Sequence, residues 1–401
     1  MPILRRRGGI LDSVFSANHE MNIIVAILIT ATCGSFLQIS GTSWDVTSHI
    51  MQEPETFFTP SHTVLYTGVG LLTLAAGLGG VLLLFRNKQF RGKSLATSFK
   101  LLIIGSAVCL VAGPSDFLWH ERFGVDGLLS PPHLALITGM LINAVATVVG
   151  LARISGHIHS ISKERLIRIA MVPAFAALWF TTTWYVYMFS LPFSDGANFQ
   201  FNLNPSLAAI IAIIALPLLS SIIFLIASKT IGRFGAATSV AVLVASVNIF
   251  ANIIPGQGMM ISILPWYSIS AILPALLADI ILNNSTVKTK LGLRGSELIA
   301  GLLIGSTFYI FNYPMLTWAF AIPLDMPIAN LQGMQAVASL TSNFLSTLPA
   351  MLSITMVPAA LMGLLGALFV SKKITIPTFQ KQQLQQPEFI RKKNEEINRI
   401  R

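Results

Sequence analysis

Ten runs of about twenty apolar residues, parted by short polar or basic loops, leave this chain very little choice of fold. They cover roughly residues 21–41, 62–85, 97–114, 132–152, 168–190, 205–227, 235–254, 261–282, 297–321 and 349–370. A run of that length crosses the hydrocarbon core of a bilayer as a helix, the one local structure that satisfies its own backbone there. Hydrophobic residues make up 54% of the 401, charged residues only 10%, and the mean hydropathy is +0.72. These values exclude an ordinary soluble domain. The expected fold class is an all-α, polytopic integral membrane protein with about ten transmembrane helices. Gly113-Pro114 shortens the third span and Pro314 interrupts the ninth.

Basic residues orient the spans. In a ten-span arrangement 25 of the 26 Lys and Arg residues fall on one side, in the N-terminus (Arg5, Arg6, Arg7), in the even-numbered connections and in the tail from Lys372. Only Arg122 lies opposite. Basic loops stay in the cytoplasm, so the chain reads as a multi-pass protein of the cell membrane with both termini cytoplasmic. The net charge of +10 is accounted for by these loops, which suit anionic lipid headgroups and require no nucleic acid. The division expected is a basic N-terminus (1–20), a four-helix unit (21–155), a six-helix bundle (156–370) and a polar cytoplasmic tail (371–401). Cys33 and Cys109 fall inside spans and read as small apolar core residues, with neither a disulfide framework nor a thiolate metal site.

Within the first 155 residues one pattern occurs twice, at a constant offset. Asp45, His49, Glu55, Thr59-Pro60 and His62 return 71 residues later as Asp116, His120, Asp126, Ser130-Pro131 and His133. The match continues through Leu65/Leu136, Thr67/Thr138 and Gly68/Gly139. Four of the seven histidines sit at the two paired positions, and none follows His159. Each copy is a hairpin of two spans, so the two form a tandem parallel repeat with both motifs on the extracytoplasmic side.

The spacing has a chemical meaning. Asp and His four residues apart share one helical face. Thr59-Pro60 and Ser130-Pro131 read as an N-cap followed by an N1 proline, which puts His62 and His133 at N3. The helix dipole disfavours imidazolium there and keeps the ring neutral, as a metal ligand must be. One carboxylate and two imidazoles form a mixed N/O set suited to copper, zinc or non-haem iron. Glu55 and Asp126 are candidates for a fourth ligand, a partner to a ligating histidine, or a general base. Polar residues at a helix mouth also serve simply as caps, but capping does not call for histidine twice at two matched positions.

The Asp-x3-His-x12-His pattern resembles the metal-binding motif of the C subunit of membrane-bound copper monooxygenases, the particulate methane and ammonia monooxygenases. The resemblance covers about residues 25–155. It implies that Asp45, His49 and His62 form one ligand set, Asp116, His120 and His133 a second, and that the metal is copper. It further implies an oxidising membrane complex with other subunits or a homo-oligomer, acting on a small apolar substrate. The family's second set usually opens with Asn at slightly different spacing, whereas this chain has Asp and identical spacing in both halves. Two other classes fit the residues. One is a metal-ion or proton-coupled transporter or channel, with Ser35, Gln38 and Ser106 below its mouth. The other is a metal-assisted hydrolase of lipid with Glu55 or Asp126 as base.

The remaining polar residues carry plainer readings. Arg122 suits a loop salt bridge or an anionic substrate, and His157 and His159 a solvated loop. Asp279 reads as reaching headgroups or capping a neighbour, and Asn248 and Asn252 as interhelical hydrogen bonding. Trp44 and Trp119 suit the aromatic belt. The topology makes a direct prediction: an epitope inserted beside Asp195 is reached by antibody on intact cells, and protection of that epitope would invert the orientation.

Overall fold

The computed structural model describes residues 17–50, 56–85, 93–123, 129–158, 160–190, 205–253, 264–311 and 355–372. Helices account for nearly all of them, with no strand among the described residues. In chain order they are α1 (Ala17–Ile50), α2 (Pro60–Phe85), α3 (Lys93–Phe123), α4 (Pro131–Ser155), α5 (Ile161–Ser190), α6 (Pro205–Ile231), α7 (Ala236–Ile253), α8 (Leu264–Asn283), α9 (Ser285–Phe311) and α10 (Thr355–Lys372). The protein is an all-α polytopic membrane protein. Large apolar side chains such as Leu74, Leu78, Ile104, Val111, Ile169 and Phe250 stand exposed on the outward faces. In a membrane, that surface meets lipid.

Seven helices, α1 to α6 and α10, are long and apolar enough to cross the bilayer. The next two, α8 and α9, are bent by 98° at their junction and meet the criterion only as a pair, while α7 offers the shorter apolar run Ala236–Ala251. Among the described residues, length and composition therefore support seven spans, or eight with the bent pair as one. The ten expected from sequence require α7, α8 and α9 each to cross. Gly292, at φ +70° inside α9, marks a second break, between an exposed basic segment and the apolar run that follows. Pro314 lies outside the described residues.

Two expectations about helix ends are corrected. The first apolar run ends near residue 41, yet α1 continues to Ile50; the third ends at Pro114, yet α3 continues to Phe123. Proline removes one donor and one ladder bond, but the flanking turns keep the helix going. The 34 residues of α1 span about 50 Å against a hydrocarbon core of about 30 Å. Each extension carries an Asp/His pair.

The first four helices pack with a reciprocity that follows the sequence offset. A Cβ on Gly34 of α1 would lie 2.9 Å from the Gly68 carbonyl oxygen of α2, and a Cβ on Gly105 of α3 would lie 2.8 Å from the Gly139 carbonyl oxygen of α4. Between hairpins, Gly79 of α2 abuts Phe99 of α3, while Gly150 of α4 abuts Leu28 of α1. Positions 28 and 99, and 79 and 150, are 71 apart, so each hairpin offers its partner the same patch. That is the contact pattern of a two-fold axis. On that axis Gln38 Nε2 meets Cys109 Sγ at 3.5 Å, across a separation of 71 residues. Cys109 is buried, as expected of a core residue, and occupies the register of Gln38, whereas Cys33 departs from that expectation and is exposed on an outward face.

α5 joins this unit to the rest, packing on α1, α4, α6 and α7. Its buried Trp179 donates Nε1–H to Ser220 Oγ of α6 at 3.0 Å and lies against Phe224 and Phe308. Farther along, Gly301 and Gly305 of α9 meet Gly363 of α10 backbone to backbone, and Ser221 Oγ donates to the Gly363 carbonyl at 2.8 Å. Asp279, fully buried on α8, caps the N-terminus of α7. Its carboxylate accepts from Thr238 N–H (2.8 Å), Thr238 Oγ (2.7 Å), Ala237 N–H (3.4 Å) and Ser228 Oγ (3.2 Å). Of the two readings offered by the sequence, the cap is what the fold uses. Likewise Ser43 Oγ donates to Asn248 Oδ1 at 2.8 Å, tying α1 to α7.

The glycine contacts set up a paired test. A Cβ at residue 105 would fall 2.4 Å from Asn143 Oδ1 and 2.8 Å from the Gly139 carbonyl, whereas one at Gly70 meets nothing within 4 Å. Gly105→Ala is expected to lower stability in detergent by about 1–3 kcal/mol. Gly70→Ala should be neutral or stabilising by about 0.5–1 kcal/mol. Thermal or denaturant unfolding of the two variants checks this.

Candidate metal centre

The ends of α1 and α3 and the starts of α2 and α4 build two matched clusters. In the second, Ser130 is the N-cap of α4, its hydroxyl accepting the His133 N–H at 3.3 Å, with prolines at N1 and N2. His133 therefore sits at N3, and its Nε2 lies 3.1 Å from Asp116 Oδ1 of α3. One turn on from Asp116, His120 brings Nε2 to 3.9 Å from the same oxygen. The two imidazoles meet edge to face with centroids 5.4 Å apart. One donor atom from each of Asp116, His120 and His133 lies within 4.8 Å of the others. Asp116 is buried and both histidines are partly buried.

The first cluster repeats the central pair. His62 Nε2 lies 3.0 Å from Asp45 Oδ1, with both residues buried. Thr59 occupies the N-cap position, its carbonyl accepting the first helical hydrogen bond from Thr63 N–H at 2.8 Å. His62 Nδ1 faces the Thr56 carbonyl at 3.0 Å. Both ring nitrogens thus face acceptors. The two contacts are hydrogen bonds together only for a ring carrying two hydrogens; a cation shared by Nε2 and the carboxylate satisfies the second contact otherwise. His49 lies on the last turn of α1, and its side chain is outside the described residues, as are Glu55 and Asp126. Arg122 is exposed on the last turn of α3.

A metal ion fits the donor set of the second cluster. Bonds of about 2.0–2.2 Å to N and O place tetrahedral ligand atoms about 3.3–3.5 Å apart. The distances of 3.1 and 3.9 Å bracket that separation, and all three donor atoms lie within 4.8 Å of one another. A carboxylate and two imidazoles give a bound divalent ion a single formal negative charge, so a site at the mouth of the bundle keeps a net positive charge and room for a further ligand.

Three features were not anticipated. Ser61 donates its hydroxyl to Asp45 Oδ1 at 3.0 Å, while the residue at the matching position is Pro132, which has no side-chain donor. Asp45 therefore shares its oxygen between Ser61 and His62, and Asp116 gives its own to two histidines. The only signal was the Ser-His dipeptide against Pro-His at one offset. Second, Phe57 packs on Tyr66 (5.0 Å) and on Phe117 (5.4 Å), and Tyr66 stacks on His62 (5.7 Å). That aromatic layer joins the neighbour of Asp116 to the ring of His62. Third, the backbone carbonyl of Thr56 orients His62, and no side-chain pattern reveals a carbonyl. On the other side of the unit, His157 is exposed and directs Nδ1 to the Arg153 carbonyl at 3.0 Å, as a solvated loop does; His159 is outside the described residues.

Comparisons with protein-family models, with characterised proteins and with solved structures return no match for this chain.

Ligation by imidazole sets the direction of the pH response. Each ligating ring must be neutral, so affinity is full above the ordinary imidazole range near pH 6.5 and falls as protons compete below it. Chelator-competition titrations at about pH 7.5 and about pH 5.5 should show weaker binding in acid, with the drop reduced in His120→Ala.

Proposed function

We propose that this protein is an integral membrane metal protein that holds a transition-metal ion at Asp116, His120 and His133. The matched cluster of Asp45 and His62, completed by His49, forms a second site. The observation that carries this reading is the convergence of three potential ligand atoms within 4.8 Å of one another, on residues from two helices. The near-identical Asp–His distances of 3.0 and 3.1 Å in the two hairpins support it. Copper is the metal that the resemblance to the monooxygenase C subunit implies, and zinc or iron suits the same donors. When bound, such an ion supplies Lewis acidity and an open coordination position. Asp116 provides the negative charge, the N-cap of α4 fixes the orientation of His133, and Phe117, Phe57 and Tyr66 pack beside the two clusters. A subunit or accessory of an oxidising membrane complex is the role this arrangement fits best. A small apolar substrate would reach it through the lipid, and the clusters belong on the extracytoplasmic side.

Transport is the second reading, favoured by polar residues that continue below the clusters at Ser35, Gln38 and Ser106. It is weakened by what lies beneath them: Leu28, Ala31, Leu102 and Phe99 fill the interior with apolar side chains. Elemental analysis of purified protein decides the first reading. The wild type should carry one to two metal ions per chain and a His49→Ala, His120→Ala double variant far less; equal content in both would end the assignment. Metal flux into proteoliposomes, no greater than into empty vesicles, is expected if the sites hold metal rather than pass it.

A further inference from the structure

One face of α1 carries Ser35, Gln38, Thr42 and Asp45, at steps of three, four and three residues. The matching face of α3 carries Ser106, Cys109, Gly113 and Asp116. These two stripes run from the carboxylates toward the two-fold axis of the four-helix unit. At about 1.5 Å per residue, Ser35 and Ser106 lie roughly 15 Å below the carboxylates, near the middle of a bilayer. Around the axis Gln38 Nε2 approaches Cys109 Sγ at 3.5 Å and Asn143 Nδ2 approaches it at 3.9 Å. The cluster is deeply buried: Asn143 is 0% exposed, Gln38 1%, Cys109 and Ser35 2%, and Ser106 3%.

Three polar atoms here have no hydrogen-bond partner among the described residues: Ser35 Oγ, Ser106 Oγ and Asn143 Oδ1. Hydroxyls in helices ordinarily escape that state by bonding to the carbonyl four residues back. Thr32, Ser40, Thr47, Thr138 and Thr147 all do so, at 2.7 to 3.0 Å. Ser35 and Ser106, at the same position of the two hairpins, do not. An orphaned buried polar atom costs about 1–3 kcal/mol, and lipid offers it nothing. A buried water needs two to four polar partners, and the three orphans, each one helical turn or one contact from the Gln38–Cys109 pair, supply that number.

We infer that the four-helix unit encloses a site for water at its two-fold axis, bounded by Ser35, Ser106, Asn143 and Cys109. Nearer the carboxylates the same faces are closed by contacts, Thr42 Oγ1 donating to Met140 Sδ at 3.5 Å and Tyr66 lying against Gly113. Leu28, Ala31, Phe99 and Leu102, at paired positions and nearly or fully buried, close it on the side away from the carboxylates. The site is thus enclosed: it holds water and exchangeable protons at the axis without opening a path through the membrane. It stands on the orphaned atoms alone and holds whether or not a metal binds above.

Cys109 supplies the test, since the chain has two cysteines and Cys33→Ala leaves one thiol. In metal-free Cys33→Ala protein in nanodiscs, the S–H stretching band of Cys109 should convert to S–D within minutes of transfer to deuterated buffer. Adding Ser35→Ala, Ser106→Ala and Asn143→Leu (the last copying Leu72 at the matching position) should slow the conversion by about tenfold, the factor expected for losing one hydrogen bond's worth of water affinity. A thiol that stays protonated for hours in the Cys33→Ala protein overturns the inference, as does an unchanged rate in the folded quadruple variant. If that variant does not fold, the single variant decides alone.

Discussion

Close approach of backbones at glycine governs everything the four-helix unit does. Lipid gives helices no hydrophobic reason to associate, so they are held by packing, and packing improves as the axes draw together. Gly34 against Gly68 and Gly105 against Gly139 leave no room for a side chain at either crossing. Fixing a crossing also fixes the longitudinal register of two rigid rods. Asp45 and Asp116 lie eleven residues beyond Gly34 and Gly105, and His62 and His133 six residues before Gly68 and Gly139. The Asp–His separations of 3.0 and 3.1 Å are the downstream result.

The fold class was legible because apolar length is a coarse and robust signal, read one segment at a time. Helix ends were not. Asp45 and Asp116 stand where hydropathy falls, and hydropathy measures solvent preference rather than helicity; α1 and α3 keep winding after the apolar run stops. Junctions were likewise hidden. The 98° bend between α8 and α9 follows from backbone geometry at Asn284 and its neighbours, which an average over twenty residues erases. At the candidate centre, the offset of 71 named Asp116, His120 and His133 and placed His133 at N3 behind a Ser-Pro cap. It did not reveal Ser61, Phe57 or Tyr66, because their roles come from contact across chains of the bundle and carry no spacing of their own. Of the two cysteines, Cys109 is the core residue its position in a span suggested and faces its counterpart Gln38, whereas Cys33 is exposed, because an apolar span has an outward face as well as an inward one.

Duplication gave the two clusters the same frame, and substitution within the frame made them different. Ser61 faces Asp45 while Pro132 stands in its place on the other hairpin, so one carboxylate has a hydroxyl donor from the following helix and the other meets two imidazoles. The lower positions diverged too, Gln38 against Cys109 and Leu72 against Asn143. Symmetry is kept at the Gly34–Gly68 and Gly105–Gly139 crossings and at the Asp–His pairs, and relaxed at the axis between them. A two-fold scaffold that holds unlike contents can divide labour between its halves.

The carboxylate of Asp279 bears on how the second half of the chain is assembled. α7 is only 18 residues long, and its first amides have no acceptor within the helix. Those amides are received by α8, the helix synthesised next. The start of α7 is therefore held by its successor, and the two helices act as one hairpin: losing the carboxylate of Asp279 would leave the Ala237 and Thr238 amides without that acceptor.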